Sequence, residues 1–288
     1  MRDKNITLRK MLSEPSVIVA PGVYDVLGAR IVERMGFRAC YMTGNGIAAS
    51  HLGLPDIGLA GMDEMTRMVR NISSRICIPL ISDADNCYGE LNSTWRAVRA
   101  FEAAGTSAIH IEDQISPKRC GAMKGVRLHS EEEAVEKIRI ALKARTDPDF
   151  LIIARTDARR VYGLEEAIRR ARAFAEAGAD VVFVEQLESL REIRQVVDGV
   201  AIAPVMYDIL EETKALAFSI DEVAEQGAKI IIFALSSILF VTKQLERLYN
   251  EIKKSGTTKG LFDEMAPLHD YEDILGLSEE NNIRDRLL

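Results

Sequence analysis

Pro79-Leu80-Ile81-Ser82-Asp83-Ala84-Asp85 is an apolar run that turns acidic at its end, and Ile109-His110-Ile111-Glu112-Asp113 repeats the pattern. Residues two apart on a strand point to the same face. Asp83 and Asp85 are therefore expected to project together, and so are His110 and Glu112. Two neighbouring strands that end this way gather carboxylates at one rim. Such oxygen-rich sets suit a hard divalent cation such as Mg²⁺, which takes one or two carboxylates and keeps several waters. The same residues also read as surface acids at strand ends, and one Asp-x-Asp does not separate the two.

Outward from this stretch, short β-rich runs alternate with longer helical patterns. The runs are Val17–Ala20, Ala39–Thr43, Leu80–Asp83, Ala108–Glu112, Leu151–Arg155, Val181–Glu185, Ala201–Val205 and Ile230–Ala234. Apolar-periodic segments fall at about 23–36, 62–75, 93–105, 130–145, 164–178, 188–198, 219–227 and 236–254. Ser130 with Glu133 forms a capping box, and Gly36, Gly105, Gly178 and Gly227 stand where helices stop. Eight consecutive β-then-α units predict a parallel sheet closed into a (β/α)₈ TIM-type barrel. An open doubly wound sheet is the alternative, but no topological break or Gly-x-Gly-x-x-Gly fingerprint supports it. Residues 1–14, with Leu8, Met11 and Leu12 at helical spacing, read as a lead-in helix, and 256–288 as a mixed tail. With no low-complexity linker, 1–288 is expected to be one barrel domain with terminal extensions.

Composition narrows the function. The 288 residues carry 37 basic and 44 acidic side chains, a net charge of −7. That balance, without a basic cluster, argues against a nucleic-acid partner. An anionic substrate must then be drawn in by local groups rather than by the overall field. No apolar run is long enough to span a membrane and no signal peptide is evident. Cys40, Cys77, Cys87 and Cys120 form no C-x-x-C pair, so free thiols in a reducing cytoplasm are expected.

Catalytic groups of such barrels come from the C-terminal ends of the strands. Here those ends carry Thr43-Gly44-Asn45, Asp83-Ala84-Asp85, His110-Ile111-Glu112, Arg155-Thr156-Asp157 and Glu185. Stability alone does not call for so many acids at one end, which favours the metal reading. The Arg155 fork can grip a substrate carboxylate bidentately or simply neutralise the acidic rim. Glu185 can hold metal waters or pair with Arg155, and Asp56 is a further acid or a loop residue. Cys120, beside Lys118 and Arg119 on a Gly-bearing loop, has either a lowered pKa suited to proton transfer or no role. The other cysteines read as structural, and His51, His129 and His269 are assigned nothing.

Tyr41-Met42-Thr43-Gly44, Leu52-Gly53-Leu54-Pro55-Asp56, Asp83-Ala84-Asp85, Ile111-Glu112-Asp113-Gln114, Lys118-Arg119-Cys120-Gly121 and Ala154-Arg155-Thr156-Asp157-Ala158 resemble, in order and spacing, the isocitrate lyase/phosphoenolpyruvate mutase superfamily. The 2-methylisocitrate lyase branch is the nearest likeness, from about residue 10 to about 275. The resemblance implies a homotetramer with the last barrel helix swapped between paired subunits. It implies Mg²⁺, or Mn²⁺ in its place, on Asp83 and Asp85, with Glu112 and Glu185 acting through water. Tyr41, Thr43, Gly44, Asn45, Asp83 and Gly121 would contact a small anionic oxo or hydroxy acid. Arg155 would hold a carboxylate, and Cys120 would be the acid/base residue on a mobile loop. The implied activity is carbon–carbon cleavage of a 2-hydroxy or 2-oxo acid through an enolate. Decarboxylation or hydrolysis of oxaloacetate and phosphonate chemistry like that of carboxyphosphonoenolpyruvate phosphonomutase are the alternatives. A non-catalytic barrel is disfavoured by the retained Cys120 and Arg155.

The chain departs from that pattern at positions that hold substrate carboxylates in the lyases. Ala122 replaces a His after Cys–Gly, and Pro204-Val205-Met206 stands for Asn-x-Thr on the seventh strand. Leu239 and Leu268 align with arginines. The expectation is an intact metal half and an apolar distal half, with neither isocitrate nor methylisocitrate as the substrate.

Overall fold

The computed structural model describes residues 2–209, 211, 216–278 and 280–281. Eight parallel strands close into a barrel in chain order: β1 Ile18–Val23, β2 Cys40–Met42, β3 Leu80–Asp83, β4 Ala108–Glu112, β5 Leu151–Thr156, β6 Val181–Val184, β7 Val205–Asp208 and β8 Ile230–Phe233. β1 pairs with β8 through Ile18 opposite Ile230, which closes the ring. The predicted (β/α)₈ barrel is the observed fold. It lies closed because each helix returns the chain to the next strand on the same side.

Alternation sorts each strand into two faces. Ile18, Ala20, Tyr41, Ile81, Ile153, Phe183, Met206 and Ile232 fill the interior. Met42, Ile109, Ile152, Val182, Val205 and Tyr207 face the helices. Helix α1, Arg2–Ser13, packs Leu8 and Met11 into the interior cluster. Lys4 donates to the carbonyl of Ser73 and Arg9 to that of Pro148, both on segments leading into strands. The predicted lead-in helix therefore plugs the N-terminal end of the barrel and leaves the other end open.

The helices are α2 Val26–Arg34, α3 Gly44–Ile47, α4 Met62–Ser73, α5 Leu91–Ala104, α6 Glu131–Ala144, α7 Ala158–Tyr162, α8 Leu164–Glu176, α9 Leu190–Val200, α10 Ile220–Glu225, α11 Ser236–Ser255 and α12 Leu268–Leu275. Ser130 and Glu133 form the expected capping box on α6. Gly36, Gly105, Gly178 and Gly227 all take positive φ at the predicted stops. The short α3 and α7, each directly after a strand, are absent from the sequence-based list. They are too short to show a 3.6-residue period. Among the described residues, no helix is long and apolar enough to cross a membrane.

Two strand boundaries need correction. β1 runs three residues past Ala20, through Pro21 and Gly22, because it lies tight against β8. A Cβ on Gly22 would stand 2.3 Å from the Phe233 carbonyl oxygen and 2.6 Å from that of Ala234. The seventh strand begins at Val205, where it was expected to end. Ala201 closes α9 in a left-handed conformation (φ 57°). Pro204, which has no N–H to give a ladder, precedes the strand and lends its carbonyl to Val182 N–H. The apolar Ala201–Val205 run imitates a strand, but Val205–Asp208 is the one paired to β6 and β8.

Candidate active site

At the open end the inward parity of each strand carries on into polar residues. Ile81 is followed by Asp83, His110 by Glu112, Ile153 by Arg155 and Met206 by Asp208. Glu185, in the same parity as Phe183, follows the last residue of β6. Together with Tyr41, Thr43, Asn45, Asp56, Lys118 and Cys120, these acids and Arg155 line a cleft of about 160 Å³. Tyr41, His110 and Phe183 form its aromatic floor. Tyr41 Oη lies 2.7 Å from His110 Nε2, and Phe183 meets His110 edge-on. Burial lowers the His110 pKa to about 4.

Asp83 and Asp85 do lie together, although not by simple alternation. Asp85 falls beyond β3 with φ 48°, and its N–H donates to Asp83 Oδ1 at 2.9 Å. Gly44 N–H donates to Asp83 Oδ2. A Cβ on Gly44 would sit 2.6 Å from that oxygen, so only glycine admits this approach. Burial would raise the Asp83 pKa, but His110, Lys118 and Arg155 outweigh it and hold the group below its ordinary range. Burial pushes Asp85 up to about 7 against the pull of Lys118. Glu112 and Glu185 are also raised, again chiefly by burial.

Lys118 is the cation the sequence undervalued. It is buried and pairs with Asp56 and, at 2.6 Å, with Asp85. Arg155 likewise sits among acids. Its Nε and Nη2 donate to Asp157 at 3.1 and 2.8 Å. Glu112 and Glu185 lie 3.7 and 3.6 Å from it, and its Cζ rests 5.3 Å over the Phe183 ring. Of the two roles open to Arg155, the neutralising one is visible directly. Asp157 is fixed in turn: its N–H donates to Asp113, which also accepts from Thr156 and Arg170.

At the cleft, among the described residues, Glu112 Oε1 and Glu185 Oε2 are buried without a hydrogen-bond partner, and Asp85 Oδ1 meets only the Lys118 ammonium, at 2.6 Å. Among the described residues no three acidic, His or Cys side chains already converge on one point, because Lys118 and Arg155 stand between them. Orphaned, hard oxygen donors in a cleft that raises their pKa fit a divalent cation bound through one or two carboxylates and water.

Cys120 lies at the cleft on the loop after β4. Its N–H donates to the Asp56 carbonyl at 2.9 Å, and Gln114 brackets the neighbouring Arg119 with two hydrogen bonds. Gly121 packs so closely that a Cβ would fall 2.6 Å from Glu185 and 2.7 Å from Arg155 and Asp157. The expected lowering of the thiol pKa is not observed. Burial, reinforced by Asp56, pushes it up to about 11, and Lys118 is already committed to Asp56 and Asp85.

The distal residues also need revision. Ala122 and Leu239 do line the cleft, with Ile209, Ala234 and Leu235. Pro204 precedes β7, Met206 is sealed in the barrel interior, and Leu268 is 70% exposed on α12, away from the lining. The residue that β7 delivers to the rim is Asp208, joined by Glu211. Sequence reasoning missed both because the strand was placed too early. The signal was present: Val205 and Tyr207 alternate with Met206 and Asp208.

The phosphoenolpyruvate phosphomutase family model matches residues 8–253. 2,3-Dimethylmalate lyase of Eubacterium barkeri is 38% identical over 275 residues, covering 94% of each chain. 2-Methylisocitrate lyase of Aeropyrum pernix is 40% identical over 271 residues, covering 94% of this chain and 87% of that one. The crystal structure of oxaloacetate acetylhydrolase with 3,3-difluorooxalacetate superposes with a TM-score of 0.94 at 31% identity, covering 99% of this chain and 97% of the other. The matched motifs, the closed barrel and the acidic rim agree, and the chain belongs to the phosphoenolpyruvate phosphomutase family of the isocitrate lyase superfamily.

Proposed function

We propose that this chain is a divalent-metal-dependent carbon–carbon lyase. Its substrate would be a small 2-hydroxy acid with a second carboxylate beside the bond that breaks. The observation that carries this reading is the pairing of buried, partner-poor carboxylates with a protonated thiol across one cleft. Mg²⁺, or Mn²⁺ in its place, would be held by Asp83 and Asp85, with Glu112 and Glu185 acting through water. When bound, it supplies positive charge to the adjacent oxygens of the hydroxy-acid head.

The chain's own groups would do the rest. Tyr41, Thr43, Gly44 and Asn45 shape the end that takes the head. With the metal's charge beside them, Glu112 or Glu185 would be ionised and would accept the hydroxyl proton through Oε1 of Glu112 or Oε2 of Glu185, which no hydrogen bond of the protein occupies. As the C2–C3 bond breaks, its electron pair passes into the neighbouring carboxylate as an enolate. Arg155, steadied by Asp157, faces that developing charge. Cys120 then returns a proton to C3, and the loop through Gly121, packed near Glu185, Arg155 and Asp157, would keep water from doing so first.

A second reading, cleavage of oxaloacetate, rests on the close likeness to an oxaloacetate acetylhydrolase. One screen separates the two. Oxo-acid release is measured from dialkylmalates and methylisocitrate, and oxalate release from oxaloacetate, each with Mg²⁺ and with excess chelator. The lyase reading expects metal-dependent pyruvate from a substituted malate. Oxalate as the only product would favour the second reading, and full activity in chelator would sink both.

A further inference from the structure

We infer that Arg160 is a positioning residue: through the carbonyls of Gly121 and Ala122 it fixes the loop that presents Cys120 to the cleft. The inference rests on the reading of Cys120 as the proton donor and concerns what holds that donor in place.

The loop is tied differently on its two sides. Before Cys120 the ties run to Gln114, which brackets Arg119, and to the Asp56 carbonyl, which accepts from Cys120 N–H. After Cys120, Gly121 has no side chain to be gripped and Ala122 only a methyl. Both of their carbonyls accept from Arg160 Nη1, that of Gly121 at 3.4 Å. Among the described residues neither carbonyl accepts any other hydrogen bond. Beyond Ala122 the chain stands off helix α7. Met123, Lys124 and Val126 face Arg160 and Val161 across a cavity of about 240 Å³. The chain is next tied at Arg127, whose carbonyl accepts from Ile115 N–H at 2.9 Å. Over this span packing does not set the loop's height above the cleft, and hydrogen bonds from an ionised donor do.

The anchor is itself held firmly. Arg160 stands on α7, which begins directly after Asp157. Asp157 N–H donates to Asp113, and Ala158 N–H to Thr156 Oγ1 at 3.1 Å. Asp157 also grips Arg155. One short segment therefore sets both the Arg155 fork and the loop opposite it, which keeps the proton donor and the carboxylate site in register. The neighbouring Arg159 is engaged elsewhere, with Glu188 and Glu192. Among the described residues Arg160 forms no ion pair, and it is exposed. Its removal would free the loop without opening the core.

The test is alkylation by N-ethylmaleimide, followed thiol by thiol with mass spectrometry. Turnover is measured alongside on whichever acid of the substrate screen the protein cleaves. Arg160→Met keeps an apolar stem and removes the donors, whereas Arg160→Lys keeps one charged donor. Cys77 is exposed and precedes β3 at the other end of the barrel, so it serves as an internal reference. In Arg160→Met we expect Cys120 to be alkylated about tenfold faster or more, with the Cys77 rate unchanged. In the same variant kcat should fall about 10²-fold, the cost of a proton donor displaced by about 1 Å. KM should stay within about threefold, because Arg160 does not touch the bound acid. Arg160→Lys should recover part of both effects. An unchanged melting temperature verifies that each variant is folded. Wild-type alkylation of Cys120 in folded Arg160→Met, or an unchanged kcat there, would overturn the inference. Native turnover in Cys120→Ser, with Arg160 intact, would instead remove the proton-donor reading, a separate result.

Discussion

A single thiol shows how burial changes a residue's chemistry. Beside Lys118 and Arg119, Cys120 reads as a thiol of lowered pKa or as one with no role; inside the fold it is a weak acid that keeps its proton. A group whose pKa rises from 9.0 to about 11 donates at every lower pH and fails only as pH climbs through that value. We therefore expect turnover limited by proton delivery to stay level through neutrality and to decline only toward pH 11. A decline already near pH 7 that disappears in Cys120→Ser would show instead a thiolate. Cys120→Ser should lower kcat by roughly 10²–10⁴ and leave oxalate affinity near normal; native turnover in that variant would remove Cys120 from the mechanism. Asp85→Ala should abolish metal binding and activity without unfolding the chain, since Asp85 stands at the rim and is already raised to about 7 by burial. Metal titration by calorimetry reads this directly, and unchanged affinity would contradict it.

At the scale of elements, the loop carrying Cys120 is held by contacts that tolerate no added atom. A Cβ on Gly121 would meet the side chains of Glu185, Arg155 and Asp157, so Gly121→Ala should push those side chains or the loop aside rather than unfold the barrel. A displacement near 1 Å at a reacting group costs about 10²-fold in rate. The expected result is a kcat lower by that order with an unchanged melting temperature. Gly22→Ala should behave oppositely. Its Cβ would collide with the β8 backbone, which cannot swing aside as a side chain can. We expect a loss of about 3 kcal/mol or more in stability, measured by denaturant unfolding, and equal stability would show that β1 and β8 can part.

For the whole molecule, the telling feature is what remains uncovered. None of α11 is buried, although it presents Leu239, Phe240, Leu245, Tyr249 and Ile252 to solvent. Phe262, Leu268 and Tyr271 in the tail are exposed as well. Contiguous apolar faces of this kind mark interaction surfaces. We propose that a second copy covers this face by exchange of α11, within a homotetramer. Light scattering should then give a mass well above the 32.0 kDa of one chain. Phe240→Glu with Tyr249→Glu should shift it toward the monomer. A stable wild-type monomer at micromolar concentration would contradict the proposal.

The order of strands, the closure of the barrel and the acidic character of its rim are local properties, and the sequence determined them. Eight short apolar runs, each followed by an apolar-periodic helical segment, leave few other ways to bury both faces of a parallel sheet. Asp83, Asp85, Glu112, Arg155 and Glu185 were legible because each sits at or just past the end of such a run. What the tertiary structure decided depends on neighbours distant in the chain. The seventh strand's register came from pairing with β6 and β8, against an apolar imitation that begins four residues upstream, and with it came Asp208 at the rim. Lys118 became part of the site only when folding brought Asp56 and Asp85 around it. The protonation of Cys120 likewise followed from burial, which no stretch of sequence displays, because desolvation is set by everything that packs around a group rather than by the residues beside it.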